Sequence, residues 1–135
     1  MKNFRPSGRS LKISRRKPIT IETMIVIRNN LIPFPGYKAI TIWPFIFVRK
    51  NAWYSNNTDR HERIHGRQQL EMLLLLFYLW YGVEYIVRLA IMRDRDRAYR
   101  TISFEQEAYD HERDEDYLQR RRWYAWMRYL FKVPE

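Results

Sequence analysis

The chain reads as α+β: a small antiparallel sheet with an edge strand, followed by a long helix carrying the pattern H-E-x-x-H and by further packed helices. Three observations predict this. Two runs rich in β-branched residues, 19–27 and 38–49, precede any helical pattern. From about residue 60 to 92 the apolar spacing turns helical. Ser103, with Gln106 three residues on, then fits a capping box and starts another helix.

The elements follow in order. Residues 1–19 form an irregular basic arm, with Lys2, Arg5, Arg9, Lys12, Arg15, Arg16 and Lys17 and no acid. Such an arm suits contact with nucleic acid or anionic lipid, or a solvated tail; no apolar stretch follows it to make a signal peptide. Residues 19–27 (ITIETMIVI) alternate in part, as a strand does, and Asn29-Asn30 with Pro33-Phe34-Pro35-Gly36 mark a loop. Residues 38–49 form the second strand, which Pro44 confines to an edge or a bulge because proline cannot donate to the ladder. Asn56-Asn57-Thr58-Asp59 opens the long helix of residues 60–92, with a bend expected at Gly82. The alternating charges of Arg93-Asp94-Arg95-Asp96-Arg97 read as a loop or a solvated helix end. The Ser103 helix is strongly acidic to Asp116, which predicts a water-facing surface that pairs with the many arginines. A last amphipathic segment sets Trp123, Trp126, Met127, Leu130 and Phe131 on one face, flanked by Arg120, Arg121, Arg122, Arg128 and Lys132.

The 135 residues suffice for one domain, 20–135, beyond the arm. Apolar residues at 46% and aromatics at 16% exclude a disordered chain. There is no cysteine, so disulfides and thiolate metal sites are excluded and any metal must be held by His, Asp or Glu. That absence fits a reducing compartment, and the expected location is the cytoplasm, at the inner face of a membrane. The net charge is +10. Residues 72–83 (MLLLLFYLWYGV) carry no charge over twelve positions, short of the ~20 needed to span a bilayer. The run suits a buried core helix or contact with lipid, and Glu84 and Arg88 beyond it are i,i+4 partners.

His61-Glu62-Arg63-Ile64-His65 uses two of the three histidines in the pattern H-E-x-x-H. On a helix, positions i and i+4 lie one above the other, so both imidazoles reach one metal while Glu62 stands beside them as a base for water. The bland reading is a solvated helix start, in which Asp59 and Glu62 form a capping box. A catalytic zinc site needs a third protein ligand. In the metzincin pattern the next positions would be Gly and His; here they are Gln68 and Glu71, and Glu71 points ~120° away from His65 on a continuing helix.

The stronger candidate comes some forty residues on, in Phe104-Glu105-Gln106-Glu107-Ala108-Tyr109. H-E-x-x-H followed by E-x-x-A resembles the gluzincin metallopeptidases, especially compact single-domain ones, and the catalytic cores of the CAAX-prenyl-protease type of membrane metallopeptidase. The resemblance spans residues 38–117: a cleft strand, the H-E-x-x-H helix, a backing helix and a glutamate helix. It implies a zincin-like domain with Zn²⁺ held by His61, His65 and Glu105, Glu62 as general base, and a peptide or protein substrate. Two departures stand out. The family often has Asp after E-x-x-A, where this chain has Tyr109, so an orienting carboxylate is missing there. Arg63 puts a charge inside the motif, about 200° from His61 and facing away from the metal.

Helical rotation also separates Glu105 from Glu107 by about 200°, which assigns Glu107 to the wet face with Asp110 and Asp114. His111 faces elsewhere and reads as structural. In the implied reaction Glu62 takes a proton from water activated by zinc and passes it to the leaving amine. The strand 38–49 would hold an extended peptide by strand addition. Tyr109 is the candidate transition-state stabiliser, or else a buried aromatic hydroxyl. Two other functions compete. One is an inactive membrane-surface or structural protein with a basic arm and aromatic helices. The other is nucleic-acid binding through Arg120, Arg121 and Arg122 with Trp123 and Tyr124, which the neighbouring acids disfavour.

Overall fold

The computed structural model describes residues 24–132. The arm expected at 1–19 and the first residues of the strand expected over 19–27 lie outside the described residues. Three strands form, β1 (Ile25–Asn29), β2 (Ala39–Ile42) and β3 (Phe45–Arg49), in the spatial order β1-β3-β2. β3 runs antiparallel to β2 and parallel to β1. The sheet is thus mixed, not antiparallel. The loop after β1 carries the chain past the position of β3, so the β2–β3 hairpin returns β3 alongside β1 in the same direction. Pro44 sits in the hairpin turn, where no ladder N–H is lost, and its carbonyl accepts from the Ile25 N–H at 2.9 Å. The single strand expected over 38–49 is therefore two, and of that pair β2 lies at an edge of the sheet while β3 is central. In β3, Ile46 and Val48 are fully buried between half-buried neighbours, the period of two expected of a strand with one covered face.

Helix α1 (Asn56–Glu71) is capped by Ser55, whose side chain accepts from the Thr58 N–H at 3.1 Å. Glu62 is therefore not part of a capping box: Asp59 instead receives Tyr54 and Arg63, and Glu62 is buried. Gly66 brings α1 close to Met24, where an added Cβ would stand 2.6 Å from the sulfur.

The long helix expected over 60–92 is two. It breaks not at Gly82 but after Met72, where Leu73 and Leu74 take positive φ (51° and 41°), and resumes as α2 (Leu75–Met92). Nothing in the run Met72 to Leu75 marks this stop, because neither glycine nor proline is present. Its effect is large. A straight helix would carry Tyr81 about 24 Å beyond His65. Instead α2 turns back, and the Tyr81 hydroxyl donates to Glu105, which itself touches His65.

Helix α3 (Arg95–Arg100) occupies the stretch read as a charged loop, with Asp94 accepting from the Arg97 N–H at its start. Helix α4 (Ser103–His111) has no side-chain cap of its own, which corrects the Ser103–Gln106 capping box. The Ser103 N–H and hydroxyl both donate to the buried Glu84 carboxylate, at 2.7 and 2.6 Å, and Arg88 balances that charge from 2.8 Å. Gln106 donates instead to the carbonyls of Thr101 and Lys132. Ile102 and Phe104 are fully buried against Phe77 and Trp126, and Ile64 packs with Ala108 and Tyr117, so α4 is the hub between α1 and α2.

The chain closes with α5 (Tyr117–Arg120) and a 3₁₀ turn, Ala125–Tyr129. The expected amphipathic face is only partly realised: Trp126 and Tyr129 are buried, while Trp123, Met127 and Phe131 are exposed. A 3₁₀ turn aligns i with i+3, which selects Trp126 and Tyr129.

Candidate metal centre

His61 and His65 stand one turn apart on the inward face of α1, and Glu105 faces them from the first turn of α4. All three are at least 93% buried. His61 Nε2 lies 3.2 Å from His65 Nε2 and 3.2 Å from Glu105 Oε2, and the third side of the triangle is 3.3 Å. These are the three donors that the sequence singled out, and the fold brings them together. A tetrahedral metal ion with bonds of about 2.0–2.1 Å sets its ligand atoms about 3.3–3.4 Å apart, so the spacing of this nitrogen, nitrogen and oxygen set fits a bound metal ion. Its group of one carboxylate and two imidazoles can hold a metal ion.

Each imidazole has its other nitrogen fixed. His61 Nδ1 lies 2.9 Å from Glu112 Oε2, and His65 Nδ1 lies 2.8 Å from Gln68 Oε1. The amide of Gln68 can point only one way, because its nitrogen donates to the Phe104 carbonyl and to Glu107 Oε2. Both Nδ1 atoms are thereby set as donors, and both Nε2 atoms face inward.

Glu107 is not on a wet face. It is fully buried, and it accepts from Gln68 at 2.9 Å, from Tyr117 at 2.7 Å and from Arg121, which also pairs with Glu71. The about 200° that separates Glu107 from Glu105 points it at a second buried region, because α4 is covered on both sides. Glu71 is turned away from the histidines, as its angle predicted, and Arg63 pairs with Asp59. His111 stacks on Tyr117 and reaches the Tyr129 hydroxyl, a structural role.

Burial works against charge on both His65 and Glu105, but their attraction outweighs it. For His65, the Glu105 carboxylate and its hydrogen bond, helped by Glu62 and Gln68, push the pKa up to about 9. For Glu105, His65 and His61 hold the carboxyl well below the usual carboxylate range. In the metal-free protein at neutral pH the site is an imidazolium–carboxylate pair.

Glu62 follows His61 on α1 and is aimed at the sheet. The Thr41 hydroxyl of β2 lies 2.6 Å from Glu62 Oε2 and 3.0 Å from its carbonyl, so the carboxylate is held in one orientation. Glu62, His65 and Glu105 line a cavity of about 380 Å³ whose remaining wall is largely aromatic, with Tyr37, Phe77, Tyr81 and Tyr99. A second, more polar cavity of about 870 Å³ opens beyond His61 and Glu62 and includes Tyr109 and Glu112. The Tyr109 ring lies edge-on to His61, with centroids 4.5 Å apart; the residue is 42% exposed and its hydroxyl bonds with Tyr99.

Glu112, Gln68, Thr41 and Tyr81 escaped the sequence reading. Glu112 had a signal: it falls seven residues after Glu105, two turns on along nearly the same line. It supplies the carboxylate that Tyr109 does not. Thr41 and Tyr81 had none, since one depends on strand register and the other on the break after α1. Of the arginine trio read for nucleic acid, Arg121 is buried in the ion network and Arg120 pairs with Asp114. No family model, curated protein or solved structure matches this chain.

Proposed function

We propose that the protein is a zinc-dependent metallopeptidase with a zincin-like arrangement of cleft strand, H-E-x-x-H helix and glutamate helix. The observation that carries this reading is the triangle of His61 Nε2, His65 Nε2 and Glu105 Oε2 beside an oriented Glu62. Zinc bound there would supply a Lewis acid that acidifies water and polarises the scissile carbonyl. Glu62 takes a proton from the attacking water and returns it to the leaving nitrogen. Thr41 keeps Glu62 from swinging out of reach. Tyr109 is the hydroxyl we assign to the developing oxyanion. Its partner is the Tyr99 hydroxyl, and an arrangement in which Tyr99 donates leaves the Tyr109 proton available. An extended peptide would pair with β2 only around Ala39, because Gln69 and Tyr78 hold the edge at Thr41 and Trp43, and would set an apolar side chain in the aromatic cavity.

Metal analysis of the purified chain tests the reading. One zinc per chain is expected, lost in His61→Ala. Glu62→Gln should keep the metal and lower hydrolysis of a casein or peptide-library substrate by about 10²–10⁴-fold, because it removes a base and not a ligand. Full zinc content in His61→Ala, or full activity in Glu62→Gln, would refute it.

A further inference from the structure

Helix α2 is long and apolar enough to cross a membrane by length and composition, yet only 11% of it is buried in the protein. Its two charged residues, Glu84 and Arg88, pair with each other on the inward side. The outward side is different. From Leu75 through Leu79, Val83 and Val87 to Ile91, each step of four residues advances about 40°, so the exposed side chains fill an arc of about 160°, apart from Tyr78, which lies off it with its hydroxyl bonded to Thr41. Every exposed side chain on that arc is apolar.

We propose that α2 beds this face in the surface of an anionic lipid bilayer. The width of the arc selects lipid over a second copy. One partner helix covers a stripe of about 100°, which would leave the rest of the arc in water, whereas a bilayer surface covers it all. The charge agrees. Exposed Arg93, Arg95 and Arg97 follow the helix, while Asp94 is committed to capping α3 and Asp96 to Arg100. The whole chain carries +10. Such a rim places cations at the level of lipid phosphates. The helix lies along the surface and does not cross it, because α1 leads into its first turn and α3 packs back onto it, and both are rich in charge. Both ends of α2 thus stay with the same aqueous body.

Flotation of the full chain with phosphatidylcholine–phosphatidylglycerol vesicles tests this. The chain should float with these vesicles and less with phosphatidylcholine alone. Leu79→Lys with Val83→Lys should lower partition about tenfold or more, whereas Phe131→Lys, at an exposed position off α2, should not change it. With no native cysteine, Val83→Cys accepts a single environment-sensitive fluorophore, whose emission should shift to the blue when vesicles are added. That label decides the matter if the lysine variant fails to fold. A chain that stays in the aqueous layer, a Val83 label already buried in a dimer before lipid is added, or a folded lysine variant that floats as well as wild type would each overturn the proposal. Zinc content and flotation fail independently, since the lipid-facing arc contains no metal donor.

Discussion

Replacing Glu107 by alanine separates the two views of α4 most sharply. A carboxylate on a wet face would be dispensable. In the fold it is fully buried and ends three donors: Gln68 at 2.9 Å, Tyr117 at 2.7 Å and Arg121, whose side chain is only 4% exposed. Truncating one partner of a buried ion pair costs about 3–5 kcal/mol. Each neutral donor left unpaired costs about 1–3 kcal/mol more. Arg121 keeps Glu71 and Gln68 keeps the Phe104 carbonyl, so the low ends apply. About 3 kcal/mol for the ion pair and about 1 kcal/mol for Tyr117 give about 4 kcal/mol, against a total stability of ~5–15 kcal/mol for a domain of this size. The effect also reaches the metal. Gln68 loses one of the two acceptors that fix its amide, so the partner of His65 Nδ1 is held less firmly, which should weaken zinc by about tenfold. Urea unfolding of the metal-free protein reads the first quantity, and competition with a chromophoric chelator reads the second. A variant with the wild-type unfolding midpoint and unchanged zinc affinity would refute the network and return Glu107 to the surface.

Glu105→Ala should abolish tight zinc binding, because among the described residues no other carboxylate completes the triangle; zinc retained at wild-type affinity by the chelator assay would discard that ligand. Glu112→Ala should lower zinc affinity about 10–100-fold with little loss of fold, measured by the same competition, since it frees His61 Nδ1 while leaving both histidines in place. With His65 at about 9 in the metal-free protein, zinc must displace its proton, so apparent affinity should rise about tenfold per pH unit from pH 7 to about 9 and then level off. A flat profile over that range would count against the pair. The sign for stability is opposite: a raised histidine stabilises the metal-free fold fully below its unfolded value of ~6.5, and that contribution is lost as pH rises through about 9.

The donor triangle was legible because H-E-x-x-H is local and because Glu105 sits in a short motif whose partner helix could be guessed. What surrounds it was not. The acidic stretch after Ser103 has the charge density of a solvated face, yet Arg121 arrives from beyond the helix to neutralise Glu107 and Glu71. The apolar run after Met72 hid a break, since leucine at positive φ leaves no mark in composition. The mixed sheet hid in a loop, because direction of pairing depends on where residues 30–38 cross and not on the strands themselves. Pro44 was read as a defect in one strand and is instead the corner between two.

The side chain of Gln69 occupies the outer edge of β2 as a neighbouring strand would. Its amide oxygen accepts from the Trp43 N–H at 2.8 Å, and its nitrogen donates to the Thr41 carbonyl at 2.7 Å, where the Tyr78 hydroxyl also arrives. One edge of the sheet is therefore sealed at its end nearest the turn, and a second chain cannot zip along it into a larger sheet. Only the backbone around Ala39 and the N–H of Thr41 still faces outward from that edge. A peptide adding there finds room for about one residue pair of main-chain bonds before it meets Gln69. On the proposed peptidase reading, main-chain pairing with a peptide would thus be brief, and discrimination among peptides would fall to the aromatic wall beside it.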